Sequence, residues 1–171
     1  HYYGGVKKYQ WVTLPMALHG VVVKKNGEIV QVSIGEKDGD PVVGVSDLLI
    51  HLSGKQMQNN ASEVVEWENL NDLIGSIPLE GQEEEPVKAQ ILQILKESYG
   101  IEEEDFLSAE LEVVPAGAAR DYGLDKSMIM AYGHDDRVCA YPSFMASLAQ
   151  GKVKYTSVCL LGYKDDIAGG W

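Results

Sequence analysis

An Asn26-Gly27 dipeptide between two apolar segments places the tightest constraint on how this chain can fold. Asn-Gly readily adopts the positive φ angles that a tight hairpin turn needs. The segments on either side, 18–25 and 28–34, are rich in valine and isoleucine, which favour strands. The sequence therefore predicts an antiparallel β-hairpin, and we expect a further strand before it, over residues 9–14.

The region that follows the hairpin combines short apolar segments with one well-marked helix. Pro86 suits the first turn of a helix and Gly100 suits its end, and apolar residues recur between them at helical spacing. A shorter helix is predicted over 46–52, with Ser46 as its N-cap, and a brief strand over 73–79. The alternating segment 108–114 predicts a half-buried strand.

The pattern changes after a connection at 115–126 that is rich in glycine, alanine and charge. We predict a strand over 127–132, a helix over 137–149 and a strand over 154–161, which is the spacing of a βαβ unit. One such unit cannot make a covered parallel sheet, so this piece is expected to belong to a larger domain. The predicted fold class is mixed, α+β then α/β.

Composition excludes several classes of protein. The 171 residues are 45% hydrophobic and 23% charged, as in ordinary globular domains, and the net charge of −12 argues against nucleic acid or an anionic membrane as partner. The chain has no apolar run of about 18 residues, and its start lacks the pattern of a secretory signal. Cys139 and Cys159 lie in apolar patterns, which predicts buried free thiols and a cytoplasmic location.

Two acidic doublets each follow an apolar segment, Asp135-Asp136 and Asp165-Asp166. In an open α/β sheet, ligands bind beyond the carboxyl ends of strands, and carboxylate oxygens suit divalent cations. The doublets therefore indicate a metal site. The alternative is that they are solvated loop ends, and Asp136 could also cap the helix over 137–149.

Five segments, in order along nearly the whole chain, resemble the dinuclear metallopeptidases called aminopeptidase I and aspartyl aminopeptidase: HYYGGVKKYQWVTLPMALHGVVV, DPVVGVSDLLIHLSGKQ, NLNDLIGSIPL, ELEVVPAGAARDYGLDKSMIMAYGHDDRVCAY and KYTSVCLLGYKDDIAG. The resemblance implies an α/β catalytic domain with two divalent metals, usually zinc, interrupted by a β-rich insert for dimerisation and assembly. It implies that residues 1–16 are a lead-in strand of the catalytic domain. Residues 17–114 would be the insert, 115–126 a connection, and 127–171 part of the catalytic domain.

The same resemblance assigns roles to five residues. Asp135 would bridge the two metals, with a cis peptide to Asp136. Asp136 would orient the metal ligands without binding a metal itself. Asp166 would be a metal ligand and Asp165 the general base. His51 would reach from the insert into the active site of a neighbouring subunit, although a histidine on the polar side of a short helix is the alternative.

This chain departs from the family pattern around the second doublet. The family has two glutamates there, and each aspartate is shorter by one carbon-carbon bond, about 1.5 Å. Tyr163 stands where an acidic residue is usual, and Ala168-Gly169 replaces Gly-Ser. The family's remaining ligands, a histidine upstream and an aspartate and a histidine downstream, have no counterpart here.

The expected function is that of a metal-dependent aminopeptidase, a hydrolase that removes N-terminal residues from peptides with a metal-activated water. As an isolated chain it is expected to be incomplete and weakly active or inactive. The alternative is a non-catalytic assembly or dimerisation module derived from such a peptidase. A third possibility is a cation-binding protein that uses its acidic loops alone. The resemblance implies peptide substrates, zinc and a homo-oligomer formed through the insert.

Overall fold

The computed structural model describes residues 7–162. The chain divides into two compact units, one formed by residues 7–118 and the other including residues 119–162. Each unit contains a small antiparallel sheet and one helix of at least 14 residues. The mixed class of helices and strands that the sequence predicts is confirmed.

The sheet of unit 7–118 has three strands: β1 (Met16–Val23), β2 (Ile29–Ile34) and β3 (Ala109–Pro115). Their order is β2-β1-β3, and both pairings are antiparallel. The central strand β1 thus joins a local hairpin to a strand that lies far away in sequence. The predicted hairpin and the predicted strand over 108–114 are both confirmed.

The hairpin turn forms at the Asn-Gly pair, although only Gly27 of the two adopts a positive φ and the loop spans residues 25–27. The amide of Lys24 donates to the carbonyl of Glu28 at 2.8 Å, and Gly27 has a φ of 84°. The side-chain oxygen of Asn26 accepts from the amide of Glu28 at 2.9 Å. A left-handed residue and a side-chain acceptor are what this turn requires, so the local sequence determines the register of β1 and β2.

A glycine in the central strand permits the long-range pairing. Gly20 lies opposite Leu111 of β3, and a Cβ atom at this position would overlap the backbone carbonyl of Glu110. The φ of Gly20 is 150°, which side chains rarely adopt. The two backbones can therefore approach each other only because this residue has no side chain.

Helix α1 (Pro86–Tyr99) begins with Pro86 in its first turn and ends at Gly100, which adopts a left-handed conformation with a φ of 63°. Both ends agree with the prediction. The core of this unit lies around the buried residues Val22 and Val32 of the sheet and Ile101, which follows the end of α1. Partly buried apolar side chains surround these three: Leu18, Val30, Ile34, Tyr99, Phe106, Ala109 and Leu111.

A buried carboxylate ties the hairpin to the segment that precedes β3. Asp105 is 7% exposed and lies in a 3-10 segment, Glu103–Ser108. Its carboxylate accepts from the amide of Glu102 at 2.9 Å and from the amide of Lys25 at 3.4 Å. These bonds satisfy the buried charge, because backbone amides supply the donors that water would otherwise provide.

Three predicted elements of this unit are wrong. Residues 9–14 contain a 3-10 segment, Lys8–Gln10, and one isolated bridge from Val12 to Val45. Thr13 has a φ of 64°, which breaks an extended strand. The predicted strand over 73–79 forms only one bridge, between Gly44 and Leu73.

The predicted helix over 46–52 is absent: residues 46–49 have no regular secondary structure, and residues 50–52 form a turn. The carboxylate of Asp47 accepts from the amide of Leu48 at 2.8 Å and from the side chain of Gln56 at 2.9 Å. These bonds offer the backbone an alternative to a helix, which explains why a capping residue followed by apolar residues does not produce one.

The other unit contains β4 (Arg120–Tyr122), β5 (Met128–Met130) and α2 (His134–Leu148). Strands β4 and β5 pair in an antiparallel hairpin. The predicted strand over 127–132 and the predicted helix over 137–149 are present with shifted ends. Residues 154–161 form no strand, so the described residues supply only the first strand and the helix of the predicted βαβ unit.

The two thiols are free, as predicted, but they are not buried. Cys139 is exposed and Cys159 is intermediate. The prediction of burial failed because it assumed covering layers, which the described residues of this unit do not supply. Within 7–162 no helix combines the length and the apolar character needed to cross a membrane.

Candidate metal centre

The carboxylates of Asp135 and Asp136 lie between a turn and the regular part of α2. Gly133, with a φ of 83°, reverses the chain after β5. Asp135 (φ −86°, ψ 111°) and Asp136 (φ −110°, ψ 16°) both have non-helical backbone angles, and the peptide bond between them is cis. The family resemblance implied that cis bond. The two residues therefore form a short non-helical segment, here called the acidic step, between the turn and the regular part of the helix.

The two carboxylates of this step interact with each other. The Asp135 carboxylate raises the pKa of Asp136 above its ordinary value of 3.8, first by accepting a hydrogen bond from the protonated Asp136 and next by the repulsion between two like charges. Both residues are exposed, so burial plays a minor part. Adjacent carboxylates of this kind share either a proton or a cation, and a divalent cation would remove the repulsion.

The alternative role of Asp136 as a helix cap is not observed. By position Asp136 directly precedes the regular helix, which begins at Arg137, because the two non-helical aspartates interrupt α2. Among the hydrogen bonds of the described residues, none joins the carboxylate of Asp136 to an amide of the first helical turn. Within the described residues Asp136 therefore makes no capping hydrogen bond, and its carboxyl group interacts with that of Asp135.

His51 lies in unit 7–118, on an exposed turn. The turn is held by Ser53, which is 3% exposed, donates its hydroxyl to the carbonyl of Ile50 at 3.1 Å and bonds through its amide to Leu49. The aliphatic neighbours of His51 are strongly exposed, with values of 70% for Leu49 and 69% for Leu52. His51 is thus presented on an apolar turn, not on the polar side of a helix.

The described residues bring together part of the predicted site. Asp135 and Asp136 adjoin, whereas Asp165 and Asp166 lie outside the described residues. Within 7–162 no group of three or more His, Cys, Asp or Glu side chains is placed to hold a metal ion. The roles of Asp135 and Asp166 as metal ligands, and of Asp165 and His51 in catalysis, remain predictions.

Two residues beside the acidic pair were not singled out as a unit by sequence reasoning. The imidazole of His134 is 3.2 Å from the carbonyl oxygen of Ile129, and the guanidinium of Arg137 donates to the carbonyl of Tyr132 at 3.4 Å. The sequence signal is their position immediately before and after Asp135-Asp136. Their backward reach to the strand end is visible only in three dimensions.

Comparison with known proteins gives a family match and several relatives. The sequence profile of the family described as "Aminopeptidase I zinc metalloprotease (M18)" matches residues 1–160. A protein of Clostridium acetobutylicum named "Probable M18 family aminopeptidase 1" is 60% identical over 168 residues, which cover 98% of this chain and 36% of that protein.

Two solved structures are similar to this chain. The crystal structure of aminopeptidase I from Clostridium acetobutylicum has a TM-score of 0.77 at 65% identity, and covers 87% of this chain and 33% of that one. The M18 family aminopeptidase from Thermotoga maritima has a TM-score of 0.81 at 49% identity, and covers 88% and 33%. The chain thus spans about a third of the length of the relatives it matches. It belongs to the aminopeptidase I (M18) family of zinc metalloproteases.

Proposed function

We propose that this chain supplies the acidic pair and the insert of a metal-dependent aminopeptidase, which removes N-terminal residues from peptides. The observation that carries the proposal is the adjacent pair of carboxylates at Asp135-Asp136, inside a segment that matches the family. Because the chain spans about a third of its relatives, we assign the reaction to the larger protein. The isolated chain is proposed to be weakly active or inactive.

The residues fit the family's zinc in part. Two adjoining carboxylates can hold a divalent cation, and the repulsion that raises the pKa of Asp136 would be relieved by one. Zinc sites usually contain histidine or cysteine ligands as well. No third ligand adjoins the pair within the described residues, so a complete centre needs donors from elsewhere, among them Asp166.

Within a complete centre, each residue of the chain has a distinct task. A bound divalent cation supplies the charge that polarises a peptide carbonyl and lowers the pKa of a bound water. Asp135 would hold the divalent cations, and Asp136 would orient that carboxylate. Asp165 is proposed to accept the proton of the attacking water. His51, from a second copy of the chain, is proposed to donate a hydrogen bond to the resulting oxyanion.

A chimeric enzyme tests this function directly. The corresponding segment of the Clostridium acetobutylicum relative is replaced by this chain, and hydrolysis of aminoacyl-p-nitroanilides is measured with zinc. We expect turnover that falls at least about 10-fold with Asp135→Asn, as expected when a metal-site residue is removed. Equal turnover of the two chimeras would contradict the proposed role of Asp135.

The shortened second doublet has its own test in the same chimera. Restoring the family's glutamates with Asp165→Glu and Asp166→Glu lengthens each side chain by about 1.5 Å. Because a misplacement of about 1 Å can cost about 100-fold in rate, we expect the double variant to be faster by up to that factor. A double variant that is slower than the parent chimera would show that aspartate is the better fit here.

A non-catalytic assembly module is the second candidate, and a specific observation favours it. Unit 7–118 has its own buried core, yet it exposes the apolar turn at 48–52. An exposed aliphatic cluster on a folded unit is typical of a protein interface. Size-exclusion chromatography with light scattering should therefore detect an oligomer. We expect Leu49→Glu to weaken it and Leu124→Glu, a matched change in the other unit, to leave it intact.

The two candidates predict different results for the isolated chain. An assembly module forms the oligomer and shows no turnover at any zinc concentration. Turnover by the isolated chain would contradict the module and the proposed inactivity together. A strictly monomeric chain at high concentration would count against the module and against the proposed contribution of His51 from a second copy.

A further inference from the structure

Two side chains fold back from the acidic step toward the end of β5. His134, just before Asp135, places its Nε2 atom 3.2 Å from the carbonyl oxygen of Ile129. Arg137, just after Asp136, donates from Nη1 to the carbonyl oxygen of Tyr132 at 3.4 Å. Both contacts join the beginning of α2 to the strand and turn that precede it. The acidic pair lies between the two residues that make them.

The hydrogen bond of Arg137 joins two residues that lie on either side of the acidic pair in the sequence. Arg137 follows the two non-helical aspartates, so it lies where regular helix begins, and its side chain returns five residues along the chain. The resulting ring of residues 132–137 contains Asp135 and Asp136. A change in the guanidinium contact would therefore alter the path of the backbone that carries both carboxylates.

Gly133 makes room for this contact. A Cβ atom on Gly133 would lie 2.5 Å from Nη1 and 3.3 Å from Cζ of Arg137, so the guanidinium rests against the bare Cα of the turn. The φ of 83° at Gly133 also disfavours any side chain there. A side chain at position 133 would therefore displace the guanidinium from this contact.

Charge neutralisation does not explain the position of Arg137. Across the described stretch 7–162, the ion pairs involve lysines and one histidine, and none joins Arg137 to Asp135 or Asp136. The carboxylates interact with each other, while the neighbouring cation is directed to a backbone carbonyl. Both carboxylates consequently stay available to a cation from outside.

We propose that Arg137 is a positioning residue: it holds the Tyr132–Gly133 turn and thereby sets the relative placement of the Asp135 and Asp136 carboxylates. The consequence for metal binding rests on the proposed function of the pair. Arg137 acts through the backbone and does not touch the cation. Groups that orient a metal ligand typically change metal affinity by about 10- to 100-fold when they are removed.

The test compares the two arginines of the chain. Arg137→Met and Arg120→Met remove the same charge from the same unit, but only Arg137 reaches across the acidic pair. Affinity of the full chain for Mn²⁺, a cation that suits carboxylate ligands, is measured by electron paramagnetic resonance. We expect Arg137→Met to bind at least about 10-fold more weakly than Arg120→Met, with identical circular dichroism spectra and melting temperatures.

A lysine variant separates geometry from charge. Arg137→Lys keeps the positive charge and loses the planar fork, so we expect it to bind Mn²⁺ as weakly as Arg137→Met. Full affinity in Arg137→Lys would overturn the positioning role, because charge alone would then suffice. Equal affinity of Arg137→Met and Arg120→Met would overturn it as well.

A readout without metal keeps the two proposals distinguishable. Amide hydrogen exchange at residues 133–136 is measured in the metal-free chain, and we expect it to be at least about 10-fold faster in Arg137→Met than in Arg120→Met. Equal exchange rates would overturn the role of Arg137 in holding the turn. If Asp135→Asn leaves Mn²⁺ binding unchanged, the proposed metal role of the pair fails, while the exchange rates still decide the role of Arg137.

Discussion

The two compact units of this chain differ in how far they bury their apolar side chains. Every buried hydrophobic residue of the described chain belongs to unit 7–118: Met16, Ala17, Val22, Val32, Val45, Val65 and Ile101. In residues 119–162 the large apolar side chains of β5 and α2 are exposed, including Ile129 at 63% and Tyr141 at 66%. One unit therefore has a core of its own. In the other unit, the apolar side chains of the strand and the helix are not covered by other described residues.

This difference has a consequence for the candidate site. The acidic pair belongs to the unit without a core, so its geometry depends on local contacts such as those of Arg137 and His134. His51 belongs to the unit with a core, where Ser53 holds its turn. Stability and proposed chemistry are thus assigned to different parts of the chain. Paired substitutions, one in each unit, test that assignment.

The largest effect is expected from equal truncations of two isoleucines. Ile101 is 1% exposed and Ile129 is 63% exposed. Ile101→Ala leaves a cavity in the core and should lower the free energy of unfolding by about 2–5 kcal/mol. Ile129→Ala should change it by less than about 0.5 kcal/mol, because its side chain already contacts water. Urea denaturation followed by tryptophan fluorescence measures both.

That comparison fails if the two variants are equally destabilised. Such a result would mean that residues 119–162 bury their apolar faces against something in solution, such as a second copy. Repeating the Ile129→Ala measurement at several protein concentrations identifies that case, because an interface makes the effect depend on concentration.

A somewhat smaller effect is expected from Gly20→Ala. The added methyl group overlaps the carbonyl oxygen of Glu110 and the φ of 150° disfavours it, so strands β1 and β3 must separate locally. A cost of about 1–3 kcal/mol is typical of such overpacking. Gly54→Ala is the matched control, since nothing lies within 4 Å of a Cβ there. A Gly20→Ala variant as stable as Gly54→Ala would show that the β1–β3 pairing contributes little.

Sequence reasoning succeeded where the determinants are local and failed where they are tertiary. Asn26-Gly27, Pro86 and Gly100 each act on their own neighbours, and the hairpin and α1 formed as predicted. The apolar run within 154–161 predicts a strand, but a strand needs a partner, and none pairs with it among the described residues. Hydrophobic pattern alone does not say what covers a segment.

The candidate site shows the same limit. Adjacent residues are adjacent in any fold, so the pairing of Asp135 with Asp136 could be read from the sequence. The contact from Arg137 to Tyr132 depends on the left-handed turn at Gly133 and on the two non-helical residues that follow it. No periodic pattern in the sequence predicts this turn and these two non-helical residues together. The contact can therefore be recognised only in the three-dimensional structure.

Two aspartates in opposite settings give the next prediction. Asp105 is buried and accepts from the amides of Glu102 and Lys25, whereas Asp136 is exposed and faces another carboxylate. Asp105→Ala should cost about 1–3 kcal/mol, because two part-buried hydrogen bonds from backbone amides lose their acceptor. Asp136→Asn should leave the free energy of unfolding unchanged or slightly raise it. Urea denaturation at pH 7 compares them, and a destabilised Asp136→Asn would contradict the contrast.

The smallest effect concerns the pH dependence of Asp136. Its pKa is raised because the protonated Asp136 donates a hydrogen bond to the Asp135 carboxylate and because that carboxylate carries a like charge, so between 3.8 and the raised value the folded chain binds more protons than the unfolded chain. Stability from this group is therefore present at low pH and is lost as the pH rises through that window. Titration of the side-chain ¹³C signals should show the Asp136 midpoint above 3.8 in the parent chain. In Asp135→Asn the midpoint should return toward 3.8, because the neighbouring charge is gone, and an unchanged midpoint would refute the pairing of the two carboxylates.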